Sequence, residues 1–315
     1  MKLHLDKVAF EQIIDEVSIA HSVRRDILEK DYYVTLLLHE LTALENQGYA
    51  FFKGGTALYK ALRSIRRFSE DIDLTVFVDD CPTPSQAKKR LEKATLKFSS
   101  MPKGEVPENK RGSITCEYVY DSMYELDLED VLQRFGRVKV EATSFTVSEP
   151  TTDIEIAPHL YELCNEERRK ILRDFYEVEP FIIKTISLER IFVDKIFATE
   201  FYYERKMYGD VSKHVYDLSI MLQCEQIKSF LSNKERFESI VAIKRREEAV
   251  RQGGVDANME IKDFPYFYAL ELDAEFESEF AKMQKIYVFN KNDVITVRYA
   301  LDKIKSLYYI LNNND

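Results

Sequence analysis

The sequence predicts an α+β protein in which a mixed α/β segment lies between two helical ones. Three observations lead there. Glycine and proline are scarce, at 9 and 8 residues in 315, which disfavours loop-rich and all-β folds and favours long helices. Apolar residues alternate with period 2 within a segment of about 48–180. From Thr185 nearly to the end they recur at helical spacing instead. The expected organisation is an N-terminal helical cap at 1–47, an α/β core at 48–180 and a helical C-terminal domain at 181–315.

In chain order, residues 6–47 carry two apolar helical stripes. Val8, Ile13, Ile14 and Val17 form the first. After the basic break at Arg24-Arg25, the second runs from Ile27 through Tyr32, Tyr33, Leu36 and Leu37 to Leu41, and Gly48 ends it. Tyr49 to Phe52 reads as a short strand that runs straight into Lys53-Gly54-Gly55, and Thr56 to Ile65 returns to helical composition. Ile72, Leu74, Val76 and Val78 alternate with Asp71, Asp73, Thr75 and Phe77, the spacing of a strand with one apolar face. Pro82 and Pro84 stop it, and Ser85 to Phe98 reads as a helix with Lys88, Lys89 and Arg90 on a basic face. Two prolines and two glycines make Met101 to Ser113 a loop. Ile114–Tyr120 and Val138–Phe145 are further strands, with another candidate at 151–160. Long helical stripes then cover 186–203, 211–231 and 294–311.

Composition narrows the function classes. A 45% hydrophobic content supports a sizeable core, and 32% charged residues supply well-solvated helix faces. The formal charge of −10 argues against a general nucleic-acid coat, because non-specific affinity comes from neutralising phosphates; a local basic groove stays open. The four cysteines lie far apart, with no CxxC and no zinc-like spacing, and read as ordinary thiols of a reducing compartment. The acidic, amphipathic N-terminus has no signal-peptide character, and no run reaches the roughly 18–20 apolar residues of a membrane helix. A cytoplasmic protein without a membrane segment is expected.

The chemistry concentrates in FFKGGTALYKALRSIRRFSEDIDLTVFV, residues 51–78. Asp71 and Asp73 are two apart on a strand, so both carboxylates point to one face while Ile72, Leu74 and Val76 point to the other. Two carboxylates held together repel unless a cation lies between them, and a hard divalent ion such as Mg²⁺ resolves the conflict. The competing reading is a pair of solvated acids on an edge strand. Gly54-Gly55-Thr56 lies between a strand end and a helix start, where main-chain N–H groups can approach a phosphate; alone it would be a tight turn. Glycine turn, helix, then acids opening a strand together provide a triphosphate holder and a metal clamp. Phosphatases and glycosyltransferases that use a DxD place the apolar strand before the acids, the reverse of the order here, and no GxxxxGK[ST] occurs.

KGGTALYKALRSIRRFSEDIDL resembles the signature of the AbiEii/AbiGii-type nucleotidyltransferase toxins, within the DNA-polymerase-β-like nucleotidyltransferase superfamily. The segments LEKDYYVTLLLHEL, RVKVEATSF, DKIFATEFYYERKMYGDVSKHVYDL and EFAKMQKIYVF are similar to that family in the same order. The resemblance implies a polymerase-β-like core, a mixed sheet with flanking helices, and transfer of NMP from an NTP to an acceptor hydroxyl. It implies that Lys53, Gly54, Gly55 and Thr56 hold nucleotide phosphates, with Ser69 close enough to touch them, and that Asp71 and Asp73 bind two Mg²⁺, with Mn²⁺ as the alternative ion. The third metal acid is expected at Glu141, which shares a strand face with Lys139 and Thr143; pairing with Lys139 is its other reading, and Glu117 is its rival. Lys195 lies on a largely apolar helix face, where a lysine either snorkels or is paired. The resemblance gives it a triphosphate contact, and gives Asp217 the place of a late aspartate that orients Lys195 or helps deprotonate the acceptor. Where many relatives carry Arg-Asp before that segment, this chain has Lys213-His214. Glu29, Lys30 and Asp31 match a family segment as well, and a solvated helix turn accounts for them equally.

The resemblance further implies a toxin of a bacterial toxin–antitoxin or phage-defence pair, a cognate antitoxin partner, and the tRNA 3′ end as acceptor. Arg63, Arg66 and Arg67, Lys88-Lys89-Arg90 and Lys244-Arg245-Arg246 are the candidate acceptor contacts; each taken singly reads as a solvated face. A protein or small-molecule acceptor, or a non-catalytic binding protein on the same fold, are the alternatives. A degenerate enzyme would have lost a metal acid, and none is missing.

Overall fold

A computed structural model describes residues 1–43, 49–63, 66–104, 107–110, 112–124, 135–145, 149–251, 253–288 and 290–313. The expected helix ends at Gly48 and Ile65 lie outside the described residues. The described chain forms two compact units: Met1–Ala61 with Glu70–Thr185, and Leu62–Ser69 with Ile186–Asp315. The stretch that carries the glycines and the aspartates is therefore shared, because eight residues between them belong to the second unit.

In the first unit, α1 (Lys7–His21) opens on Asp6, whose side chain accepts from the Ala9 N–H. It ends at Ser22 in the left-handed region, before α2 (Arg25–Ala43). Residues 27–38 of α2 are all buried, so this helix is enclosed on every side. A sheet follows, made of β1 (Ala50–Lys53), β2 (Ile72–Val76), β3 (Glu108–Lys110), β4 (Ser113–Val119), β5 (Arg137–Thr143), β6 (Thr151–Ile156) and β7 (Phe181–Ile186). Among the described residues its order is β3-β4-β5-β2-β1-β7-β6. It is mixed: β1 pairs antiparallel to β2 and parallel to β7, and β2 pairs parallel to β5. One turn, α3 (Gly54–Thr56), leaves β1 and continues into a π-helical turn, Ala57–Ala61. The helix α4 (Pro84–Leu96) covers β2, β4 and β5, burying Leu91 and Ala94, while the Tyr118 hydroxyl donates to the Thr95 carbonyl at 2.6 Å. Tyr118 shares its face with Val138, Val140, Leu74 and Phe52 through the ladder registers, so α4 lies on the apolar face of the sheet. The helices α5 (His159–Leu163) and α6 (Glu166–Tyr176) connect β6 to β7.

Two strands depart from expectation. The loop 101–113 contains β3, an exposed three-residue edge strand with no apolar alternation, formed only because β4 offers it a partner. The strand β7 lies just past the expected boundary, at the start of the segment 181–315 expected to be helical. Its sequence, FIIKTI, has no apolar–polar alternation, and its position beside β1 decides its state.

The second unit is helical: α7 (Leu188–Glu204), α8 (Tyr208–Met221), α9 (Glu225–Ser232), α10 (Lys234–Val250), α11 (Tyr266–Ala269), α12 (Ala274–Tyr287) and α13 (Val297–Asn313). Its central element is α8, against which α7, α12 and α13 pack, and every residue from Val215 to Met221 is buried. The segment 62–69 is held in this unit by the Phe68 N–H, which donates to the Tyr287 carbonyl at 2.8 Å.

Candidate active site

The polar face of the sheet is built by register. Lys53 on β1 is paired with Asp73 on β2, Asp73 with Glu141 on β5, and Glu141 with Thr115 on β4. Strand alternation puts this row opposite the apolar face that α4 covers. Asp71, just before β2, places its carboxylate 3.1 Å from the Lys139 ammonium. Lys139 thus pairs with Asp71, while Glu117 pairs with Arg137 at 2.9 Å. The Lys53 ammonium donates to the Thr143 hydroxyl at 2.9 Å.

The glycine turn meets this row directly. Gly54 has φ +78°, and a Cβ there would overlap the Asp73 carboxylate, so conformation and space both require glycine. Thr56 is buried behind it. Burial, then the charge of Asp71 and that of Glu141, push the Asp73 carboxyl up to about 6, against the pull of Lys53 and Lys139. An acid so disfavoured as an anion is a good ligand for a cation. Mg²⁺ is commonly held by one or two carboxylates, with substrate phosphates and water completing its shell, and Asp71 with Asp73 fit that donor set. Among the described residues no group of three or more His, Cys, Asp or Glu side chains is gathered to hold a metal; Glu141 lines the row beside Asp73 without closing a three-carboxylate cage.

Lys195 and Asp217 meet in the second unit. The Lys195 ammonium is 3.0 Å from one Asp217 oxygen and 3.1 Å from His214 Nδ1. Arg67, from the segment 62–69, donates to both Asp217 oxygens at 2.7 and 2.8 Å. Asp217 is fully buried; burial opposes its charge, but Arg67 and Lys195 outweigh that and hold its carboxyl below the usual range. Burial, reinforced by Lys195, Arg67 and Lys213, drives His214 well below the ordinary imidazole range, and its ring stacks on Tyr202. Ser69 belongs to the segment counted with this unit.

Several candidate basic residues are not solvated. Arg67 is 4% exposed and engaged with Asp217. Lys244 is buried among Asp194, Glu247 and Glu248, where Arg190 also binds Glu247, so it ties α10 to α7. Arg63, Arg66 and Arg246 remain exposed. Lys89, Arg90 and Lys93 line a pocket of about 510 Å³ with Tyr49 and Pro82, at the end of the β1–β2 pair away from Asp73. The solvated-turn reading of Glu29, Lys30 and Asp31 fails outright: all three are at most 2% exposed on the enclosed helix α2. Sequence reasoning also missed Lys139 as the partner of Asp71 and Arg67 as the partner of Asp217. The parallel β2–β5 register could have flagged the first; no local pattern signals the second.

The model of the AbiEii family, described as nucleotidyl transferase AbiEii toxin of a type IV toxin–antitoxin system, matches residues 35–304. No curated protein matches the chain. Among solved structures, MenT4, a nucleotidyltransferase toxin from Mycobacterium tuberculosis H37Rv, is similar at a TM-score of 0.48 and 12% identity, covering 96% of this chain and 98% of that one. With the family model spanning most of its length, this chain belongs to the AbiEii nucleotidyltransferase toxin family.

Proposed function

We propose that the chain transfers a nucleoside monophosphate from an NTP to the hydroxyl at a tRNA 3′ end, with Mg²⁺ held by Asp71 and Asp73. The observation that supports this reading most is the row Lys53–Asp73–Glu141 with Gly54 pressed against Asp73. The main-chain N–H groups of the glycine turn bind phosphate, and Lys53 adds positive charge beside it. Bound divalent metal supplies charge neutralisation to the attacking and leaving oxygens of an in-line displacement. Glu141 raises the negative potential at the acids and is the third candidate ligand.

In this reading the acceptor oxygen forms a bond to the α-phosphorus as the bond to the β-phosphate oxygen breaks, and pyrophosphate leaves. For Lys195 the family resemblance is the source of the proposed triphosphate contact. Asp217, saturated by Arg67 and Lys195, orients that lysine; a carboxylate held charged by two cations is a weak base. The family supports the role of toxin in a toxin–antitoxin pair, with an antitoxin as partner, and the proposal extends that role to phage defence.

The test is incubation with each labelled NTP, Mg²⁺ and either total tRNA or total protein. Label in the tRNA fraction, falling steeply as salt rises, supports the proposal. Label confined to protein or to small molecules, or salt-insensitive transfer, replaces the acceptor.

A further inference from the structure

The chain leaves the first unit after Ala61 and returns at Glu70. Upstream, the glycine turn is fixed by β1, which is paired on both sides. Downstream, any anchor within that unit must act on Ala57–Ala61. Two consecutive residues of this π-helical turn are tethered there. Lys60, 2% exposed, places its ammonium 2.7 Å from Asp31 Oδ1 and donates to the Ala157 carbonyl at 2.9 Å. Asp31, also 2% exposed, accepts the His159 N–H on its other oxygen at 2.6 Å. The Tyr59 hydroxyl is 2.9 Å from His159 Nε2, and His159 Nδ1 is 2.8 Å from Glu162. One buried group thus ties α2, the turn and the start of α5 together.

A buried ion pair is poor evidence of stabilisation, because desolvating both charges cancels most of their attraction, and apolar replacements often stabilise. Its worth lies in fixing geometry, and here the geometry fixed begins one residue after Thr56. We propose that Asp31 and Lys60, with Tyr59 and His159 as the outer link, are positioning residues that hold the glycine turn in its phosphate-binding form. The inference rests on the nucleotide-transfer reading and adds a specific control over NTP affinity, exerted on the turn from α2 and α5 through Asp31 and His159.

The experiment uses the full chain and compares wild type with the double variant D31N/K60M. That variant removes both buried charges without stranding either one, so its circular dichroism and melting should stay close to wild type. The KM for the preferred NTP should rise by roughly tenfold to a hundredfold, as expected of a displaced binding group, and the melting shift caused by added NTP should shrink in parallel. A folded double variant with wild-type KM overturns the proposal. So does a fall in kcat at constant KM, the signature of less folded enzyme and nothing more. Should the double variant not fold, Tyr59→Phe, which removes the hydroxyl that meets His159 and keeps the ring, must still raise KM about threefold, a fraction of that displacement; an unchanged KM overturns the proposal equally. Wild type that neither turns over nor binds any NTP refutes the transfer reading instead, and the wild-type arm reports that separately.

Discussion

Asp73 and Asp217 are both low-exposure aspartates beside lysines, and their carboxyls are shifted in opposite directions. Asp73 faces Lys53 but also Asp71 and Glu141, and its carboxyl rises to about 6. Asp217 is enclosed more completely, yet Arg67 and Lys195 bring it below the usual range. Burial alone does not separate a satisfied carboxylate from one that lacks a cation; the balance of neighbouring charge does. The first unit leaves surplus negative charge on its sheet face, whereas in the second Asp217, Glu247 and Glu248 each meet a buried cation.

The largest expected effect tests the unsatisfied side. Asp71→Asn or Asp73→Asn should lower nucleotide transfer on the order of 10³-fold, the equivalent of several kcal/mol of lost charge stabilisation, in a labelled-NTP assay. Undiminished incorporation in either variant would sink the metal assignment. The satisfied side should respond in stability. Asp217→Asn strands Arg67 and Lys195 in a buried site, costing about 3–5 kcal/mol, read as a fall of roughly 10 °C in melting temperature. A melting curve unchanged from wild type would mean the ion group contributes nothing to the fold.

Gly54→Ala probes the contact between turn and acid. A side chain at φ +78° against the Asp73 carboxylate should cost roughly 1–3 kcal/mol and abolish stabilisation by Mg²⁺ and NTP; a variant that melts and binds like wild type refutes the close approach. The pH dependence, which develops gradually over several pH units, differs in sign between the two aspartates. With its folded pKa raised, Asp73 disfavours the fold as pH climbs from about 4 through 6. Metal-free Asp73→Asn should therefore match wild type near pH 4 and exceed it by up to about 3 kcal/mol at pH 8, with Mg²⁺ erasing the gap. Asp217 has a lowered folded pKa, so its contribution is present above the ordinary aspartate range and is lost as pH falls below it. Denaturation midpoints across pH 3–8 would expose a common sign if the comparison is wrong.

The glycine turn, the paired acids, most strands and the helical second half were legible in sequence, since each is written in local spacing: alternation at 72–76, Lys53-Gly54-Gly55 after a strand, helical stripes beyond 186. The strand β7 and the edge strand β3 were not, because neither alternates and each exists only through its neighbour. Glu29-Lys30-Asp31 shows the same limit more sharply. Three charges in a row read as solvated until the fold encloses them and supplies partners from residues more than a hundred positions away, such as Arg137 and His159.

What the sequence determined by itself is chemistry and family: which residue types stand at which spacing, and so which reaction they suit. Tertiary structure alone decided the pairings, Lys53 with Asp73, Lys139 with Asp71, Arg67 with Asp217 and Lys60 with Asp31. The reason is physical. Local pattern selects a backbone conformation, but a charge's state depends on burial and on every charge near it, and those neighbours are assigned by sheet register and helix packing.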